Sequence, residues 1–95
     1  MGTFHSGKGE LHGITVVVDT QGAMVYIGRC WEMNDQHVVL LDVDEHEDGQ
    51  DGRSKQDFVR QAAKVGVWKT HDRFVIPREV IGSVTPLGAI PIGHD

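Results

Sequence analysis

The chain has 95 residues, 39% of them hydrophobic, and a formal net charge of −5. That length makes one small domain with a modest core, and the hydrophobic share excludes a disordered chain. The acidic balance excludes a protein that coats phosphate backbones through bulk positive charge.

Twelve glycines favour a turn-rich β-protein over a helix bundle. The single cysteine, Cys30, has no intrachain partner, which points to a reducing compartment. No charged leader with an apolar run and cleavage site is visible, and no apolar run approaches the length of a bilayer span. The expectation is a soluble, cytoplasmic protein with no membrane partner.

Residues 1–10 are polar and glycine-rich and read as a flexible arm. Residues 11–20 place Ile14, Val16 and Val18 on one parity and Val17 on the other, and the β-branched run Thr15-Val16-Val17-Val18 makes this a strand. Asp19-Thr20-Gln21-Gly22 is a turn. A second strand follows over residues 23–33. Met24, Tyr26, Gly28 and Cys30 share one face, and Val25, Ile27 and Trp31 the other, interrupted by Arg29. A strand apolar on both faces is central or covered on both sides. Gly28 in its middle marks a bulge or sharp bend. Asn34-Asp35-Gln36 is a turn, and residues 38–43 form a third strand.

The composition then shifts. Residues 44–52 are acidic and contain glycine, and read as an exposed loop. Ser54 opens a helix, with Asp57 three residues on approximating a capping box. Phe58, Val59, Ala62, Ala63 and Val65 recur at helical spacing, and Gly66 ends the element. Val67-Trp68 opens a further extended stretch. Residues 73–77 and 80–87 are short strands, and residues 88–95 form a tail stiffened by Pro91. With no internal repeat, residues 1–95 make one domain in which residues 44–72 are an inserted acidic loop and helix.

Chemistry is sparse. No nucleophile–base or acid–base pair can be named from spacing, so neither an enzyme nor a cofactor is expected. The run Asp42-Val43-Asp44-Glu45-His46-Glu47-Asp48 invites a calcium reading. An EF-hand loop needs glycine at its sixth position and glutamate at its twelfth, and neither register supplies both. The six histidines show no ligand spacing, so no metal site is expected. Trp31 and Trp68 read as core or interface anchors, with base stacking as the alternative. Cys30 reads as a small core residue.

Two segments carry a resemblance. Tyr26-Ile27-Gly28-Arg29-Cys30 followed by Asp35-Gln36-His37-Val38-Val39-Leu40-Leu41-Asp42 is similar to the first signature of the Sm-like (LSm) small β-barrels, the bacterial host-factor RNA chaperones among them. Ile76, Ile81 and Val84 hold the spacing of the second signature, and Pro86 stands where the chaperone version ends. The resemblance covers residues 11–43 and 73–87. It implies a mainly β fold: a five-stranded, strongly bent antiparallel barrel, here with a helix inserted between strands three and four. It also implies a closed homo-oligomeric ring of about five to seven subunits, in which the fourth strand of one subunit pairs with the fifth of the next. Ile76, Ile81 and Val84 would lie at that interface.

The family's members mostly bind RNA, which implies single-stranded, U-rich RNA held at the pore by His37, Arg78 and Asp35. His37 stands where the family has Asn or Phe, and Pro77-Arg78-Glu79 where it has Arg-Gly or Lys-His. His37 reads either as a base-stacking residue or as a surface turn histidine. Arg78 reads either as a phosphate or uracil contact or as a salt-bridge partner of Glu79 or of a neighbouring subunit. The alternative to RNA binding is a structural or protein-interaction ring, with a partner docked on the Phe58–Val59 face of the inserted helix.

Overall fold

The computed structural model describes residues 11–91. The expected arm, residues 1–10, and the last four residues of the tail lie outside them. Five strands run in chain order: β1 (Thr15–Thr20), β2 (Met24–Met33), β3 (His37–Glu47), β4 (His71–Pro77) and β5 (Ile81–Pro86). One helix, α1 (Lys55–Val65), lies between β3 and β4, and single 3-10 turns occupy Gln50–Gly52, Arg78–Val80 and Leu87–Ala89. The strands form one antiparallel sheet in the order β4-β3-β2-β1-β5. β2 is central, as its two apolar faces require. β4 and β5 are not paired with each other, so the sheet is open.

Two opposed irregularities bend the sheet's middle. Between the pairs Ile27↔Asp44 and Arg29↔Leu41, β3 carries one extra residue, and Asp42 there has a φ of 53°. Between Cys30↔Leu40 and Glu32↔Val39 the extra residue is on β2, and it is Trp31. The second offset cancels the first. The bend is therefore local, and the register on either side of it is the same. Gly28 sits at this bend where a side chain would be closely confined. A Cβ there would stand 3.0 Å from the Leu41 carbonyl oxygen and 3.1 Å from Val43 Cγ2.

Both faces of the sheet are apolar, and each has its own cover. On one face Val16, Val18, Cys30, Val38, Leu40, Val43 and Ile76 form a buried cluster drawn from four strands, with Ile81 and Val84 of β5 packed against it. Among the described residues no helical residue joins this cluster; Leu11, ahead of β1, and Tyr26, Met33 and Phe74 of the strands pack around it. On the other face Val17, Val25 and Ile27 are buried under Phe58 and Ala62 of α1. Removing one such side chain from water stabilises the fold by about 1.5–3 kcal/mol.

The helix forms where its local code places it. Asp57 N–H donates to Ser54 Oγ at 3.1 Å and Ser54 N–H donates to Asp57 Oδ2 at 3.2 Å, a complete capping box. The Ser54 backbone N–H, and after it the Ser54 hydroxyl, hold the Asp57 carboxyl below its ordinary pKa. Gly66, with a φ of 102°, ends the helix.

Four sequence expectations need correction. β3 does not stop at Val43 but runs to Glu47, so the expected acidic loop is half strand, and His46 is buried. Residues 67–70 form no strand. Val65 is 70% exposed, while Val67 packs against the α1 cluster in its place. Trp31 and Trp68 are exposed by 49% and 78%, so neither is a core residue.

Candidate functional site

The β2–β3 turn is held by one side chain. Asn34 Oδ1 accepts from the backbone N–H groups of Gln36 (2.8 Å) and His37 (3.0 Å), and Asn34 N–H donates to the His37 carbonyl at 3.0 Å. An asparagine here makes the turn by imitating a backbone carbonyl. Asn34 Nδ2 also donates to Glu32 Oε2 at 3.0 Å. His37 Nε2 lies 3.4 Å from Asn34 Nδ2 and 3.8 Å from Glu32 Oε2, so a protonated His37 forms an ion pair with Glu32. Asp35 and Gln36 form the exposed tip.

The β4–β5 corner docks on this turn. His37 pairs with Pro77 across β3 and β4, and Arg78 N–H donates to the Gln36 carbonyl at 2.9 Å. The two segments singled out in the sequence, 35–42 and 76–86, therefore meet at their knuckles. Arg78 is exposed and forms no ion pair with Glu79 or any other carboxylate among the described residues. Its neighbourhood is a cleft of about 480 Å³ lined by Leu11, Met33, Arg78, Ile81, Ser83 and Val84. His37 is not part of that lining.

The three expected interface residues separate. Ile81 and Val84 are half-buried and line the cleft on the open side of the sheet. Ile76 is 1% exposed, and its side chain fills the subunit's own core. It offers a neighbour nothing but the backbone of an edge strand. The expected docking face of α1 is also used internally: Phe58 is buried against the sheet and Val59 packs beside it.

Three further groups, His46, Lys55 and Asp42, prove structural. His46, read as part of an exposed loop, stacks on Phe58 with ring centroids 4.7 Å apart, and its Nε2 donates to the Arg53 carbonyl at 2.9 Å. The Arg53 guanidinium lies 5.8 Å over the other partner in that stack, the Phe58 ring. Lys55 pins α1 to the β1–β2 turn: Nζ donates to Asp19 Oδ1 (2.7 Å), to the Thr20 carbonyl (3.0 Å) and to the Gly22 carbonyl (2.6 Å). Asp42, at the bend, accepts from Arg29 at 3.2 Å and lies 3.9 Å from Lys69. Val43 and His46 stand three residues apart and pack on opposite faces, so no alternation marks His46. Nothing local marks Lys55.

Cys30 is buried and burial pushes its thiol pKa up, away from the nucleophilic thiolate. The Tyr26 phenol is raised by burial and then by the Glu45 carboxylate. Among the described residues no cluster of three histidine, cysteine or carboxylate side chains is placed to hold a metal ion. No helix among them is long and apolar enough to cross a membrane. No family model matches the chain, and no curated protein matches it.

Proposed function

We propose that the chain is the subunit of a closed, Sm-like homo-oligomeric ring and that the knuckle formed by Asp35, His37 and Arg78 binds single-stranded RNA. The open sheet is then an Sm-like barrel whose last gap the next subunit fills. The observation that carries the RNA reading is the Arg78 N–H to Gln36 carbonyl hydrogen bond, which joins the two resembling segments and leaves an unpaired guanidinium beside an exposed turn. An arginine so placed meets a phosphate or a base edge without first losing a carboxylate partner. The imidazole of His37, about one-third exposed, supplies a face for stacking.

The assembly reading is supported by the edges. β4 and β5 leave two unpaired rows of backbone groups on a small domain, and closure head to tail consumes both. Native mass spectrometry with and without a short oligo-U tests both halves. A closed oligomer that gains one RNA mass is the expected result. A monomer at micromolar concentration refutes the ring, and a ring that takes up no RNA at tens of micromolar in low salt refutes the RNA site.

One observation favours a second reading, a structural ring that binds no RNA. Glu32 stands 3.8 Å from His37 and Asp35 flanks the turn, so the site carries acid where a phosphate would approach.

A further inference from the structure

A second cleft, of about 500 Å³, lies between α1 and β5 on the face of the sheet that the helix covers. The strand register lays out its floor. Ile27, Val17 and Thr85 stand in one row across β2, β1 and β5, and Val25, Asp19 and Ser83 stand in the next row on the same face. Phe58 stacks on His46 of β3 and packs with Val25 and Ile27 of β2. The helix therefore lies toward β2 and β3 and leaves the β5 end of both rows open. Val59 and Arg60 form the helical wall of the cleft, and Ile90 and Pro91, beyond the turn that follows β5, close a third side.

The polar side chains around this floor have no partners. Among the described residues, the side chains of Gln56, Ser83 and Thr85 make no hydrogen bond, and that of Arg60 makes neither a hydrogen bond nor an ion pair. Elsewhere the fold uses such groups: Thr20, Gln21, Asn34, Ser54, Gln61 and Thr70 are all hydrogen-bonded. The charges of the cleft leave a remainder as well. Lys55 and Asp19, 2.7 Å apart, neutralise each other. Asp57, about one turn before Arg60, is held in the Ser54 cap. One planar cation thus stands beside an apolar floor, in a chain whose net charge is −5. Small-ligand sites have this make-up: a concave space of about 300–1,000 Å³, an apolar lining that holds the body, and a few polar groups that orient it.

We infer that the cleft between α1 and β5 binds a small monocarboxylate with an apolar body, its carboxylate on the Arg60 guanidinium and its body against Val17, Val59 and Ile90. A guanidinium matches a carboxylate through two parallel N–H···O bonds. A dianion such as a phosphate monoester brings a second charge that no unpaired cation of the lining meets. The Ser83 and Thr85 hydroxyls border the body from β5, where each can donate to or accept from a polar substituent on it. β5 separates this cleft from the one beside Arg78, and the two share only Ser83. The site therefore stands apart from both the ring and the RNA readings.

Titration of isotope-labelled protein with octanoate, followed through its amide chemical shifts, tests the site. Octanoate should give saturable shifts at Val59, Arg60, Thr85 and Ile90, with half-saturation below about 10 mM, the affinity that so few atoms provide. Octanamide, equal in size and without charge, should bind at least about tenfold more weakly, the worth of one charge-assisted hydrogen bond. Arg60→Gln should bring octanoate down to the octanamide affinity while the rest of the amide spectrum stays in place, since Arg60 is exposed on the helix. The His37 and Arg78 amides, read in the same spectra, should not move. Absence of saturation over that range, equal affinity for octanoate and octanamide, or octanoate binding that survives Arg60→Gln each overturns the inference, whatever the oligomeric state of the protein. So do shifts spread beyond the cleft.

Discussion

Replacing Gly28 with alanine tests the account of the bend. The added Cβ meets the Leu41 carbonyl oxygen at 3.0 Å, Val43 Cγ2 at 3.1 Å and Leu40 Cβ at 3.2 Å. One contact is backbone and the other two belong to side chains in or beside the buried cluster, so none can swing away freely. Overpacking of this kind costs about 1–3 kcal/mol. Against it stands the lower unfolded-state entropy of alanine, which restores about 0.4–1 kcal/mol. The net expectation is a loss of about 1–2 kcal/mol, or a melting temperature lower by about 4–16 °C for a domain of this size. Circular dichroism melts at one fixed protein concentration measure it. Gly22→Ala is the control, because a Cβ there has no neighbour within 4 Å, and it should melt within about 2 °C of wild type. If Gly28→Ala melts at or above wild type, the bend at this position is not set by space.

Lys55→Met should destabilise the fold by about 1–3 kcal/mol in urea titrations, because it removes three hydrogen bonds from one partly buried ammonium while keeping its aliphatic bulk; an unchanged midpoint would show that α1 is held by Phe58 and Ala62 alone. The folded-state pKa of Asp57 is depressed, so its capping contribution is present above the ordinary carboxylate pKa of about 4 and is lost as pH falls through the folded value. Helical signal at 222 nm should therefore fall on acidification, and Asp57→Asn should flatten that part of the profile; an identical profile in the variant would count against the capping box. For RNA, His37→Ala should cost about 1–3 kcal/mol of binding, the worth of one base–aromatic stack, with Arg78→Ala weakening it further while the oligomer persists. Fluorescence anisotropy with labelled oligo-U reads both, and a shallow salt slope is expected because few phosphates are neutralised.

What could be read from the chain was what local rules encode. The helix was legible because Ser54, Asp57 and Gly66 specify its ends through hydrogen bonds and backbone geometry within a few residues. The centrality of β2 was legible because valine and isoleucine opposite tyrosine and cysteine leave no face for water. The end of β3 was not, because Asp44, Glu45 and Glu47 surround the one inward-facing residue, His46, and a charged run looks the same in a loop as on a strand. Trp31 was misplaced because a bulge, invisible in the alternation, turns it out of the ladder. The knuckle illustrates the opposite limit. The segments around His37 and Arg78 were identified, but their meeting through the Gln36 carbonyl is a pairing of residues 42 positions apart that no spacing rule encodes.

The inserted helix and the triple valine of β1 explain each other. A strand of an isolated curled sheet needs a polar residue where Val17 stands, since one of its faces meets water. Here Val17 is buried, and so are Val25 and Ile27 on the neighbouring strand, because α1 lies across them. Extending the connection between β3 and β4 costs little in closure entropy, since that cost rises only with the logarithm of loop length. The helix offsets it by burying two apolar side chains of its own. It is kept from sliding by the Lys55 contacts at one end and by the packing of Val67 and Ile90 around the cluster. Once both faces are covered, the unpaired backbone of β4 and β5 is the main unsatisfied feature of the sheet. Faces and edges thus stand differently: the faces are covered within one chain, while each edge strand keeps an unpaired row of backbone groups.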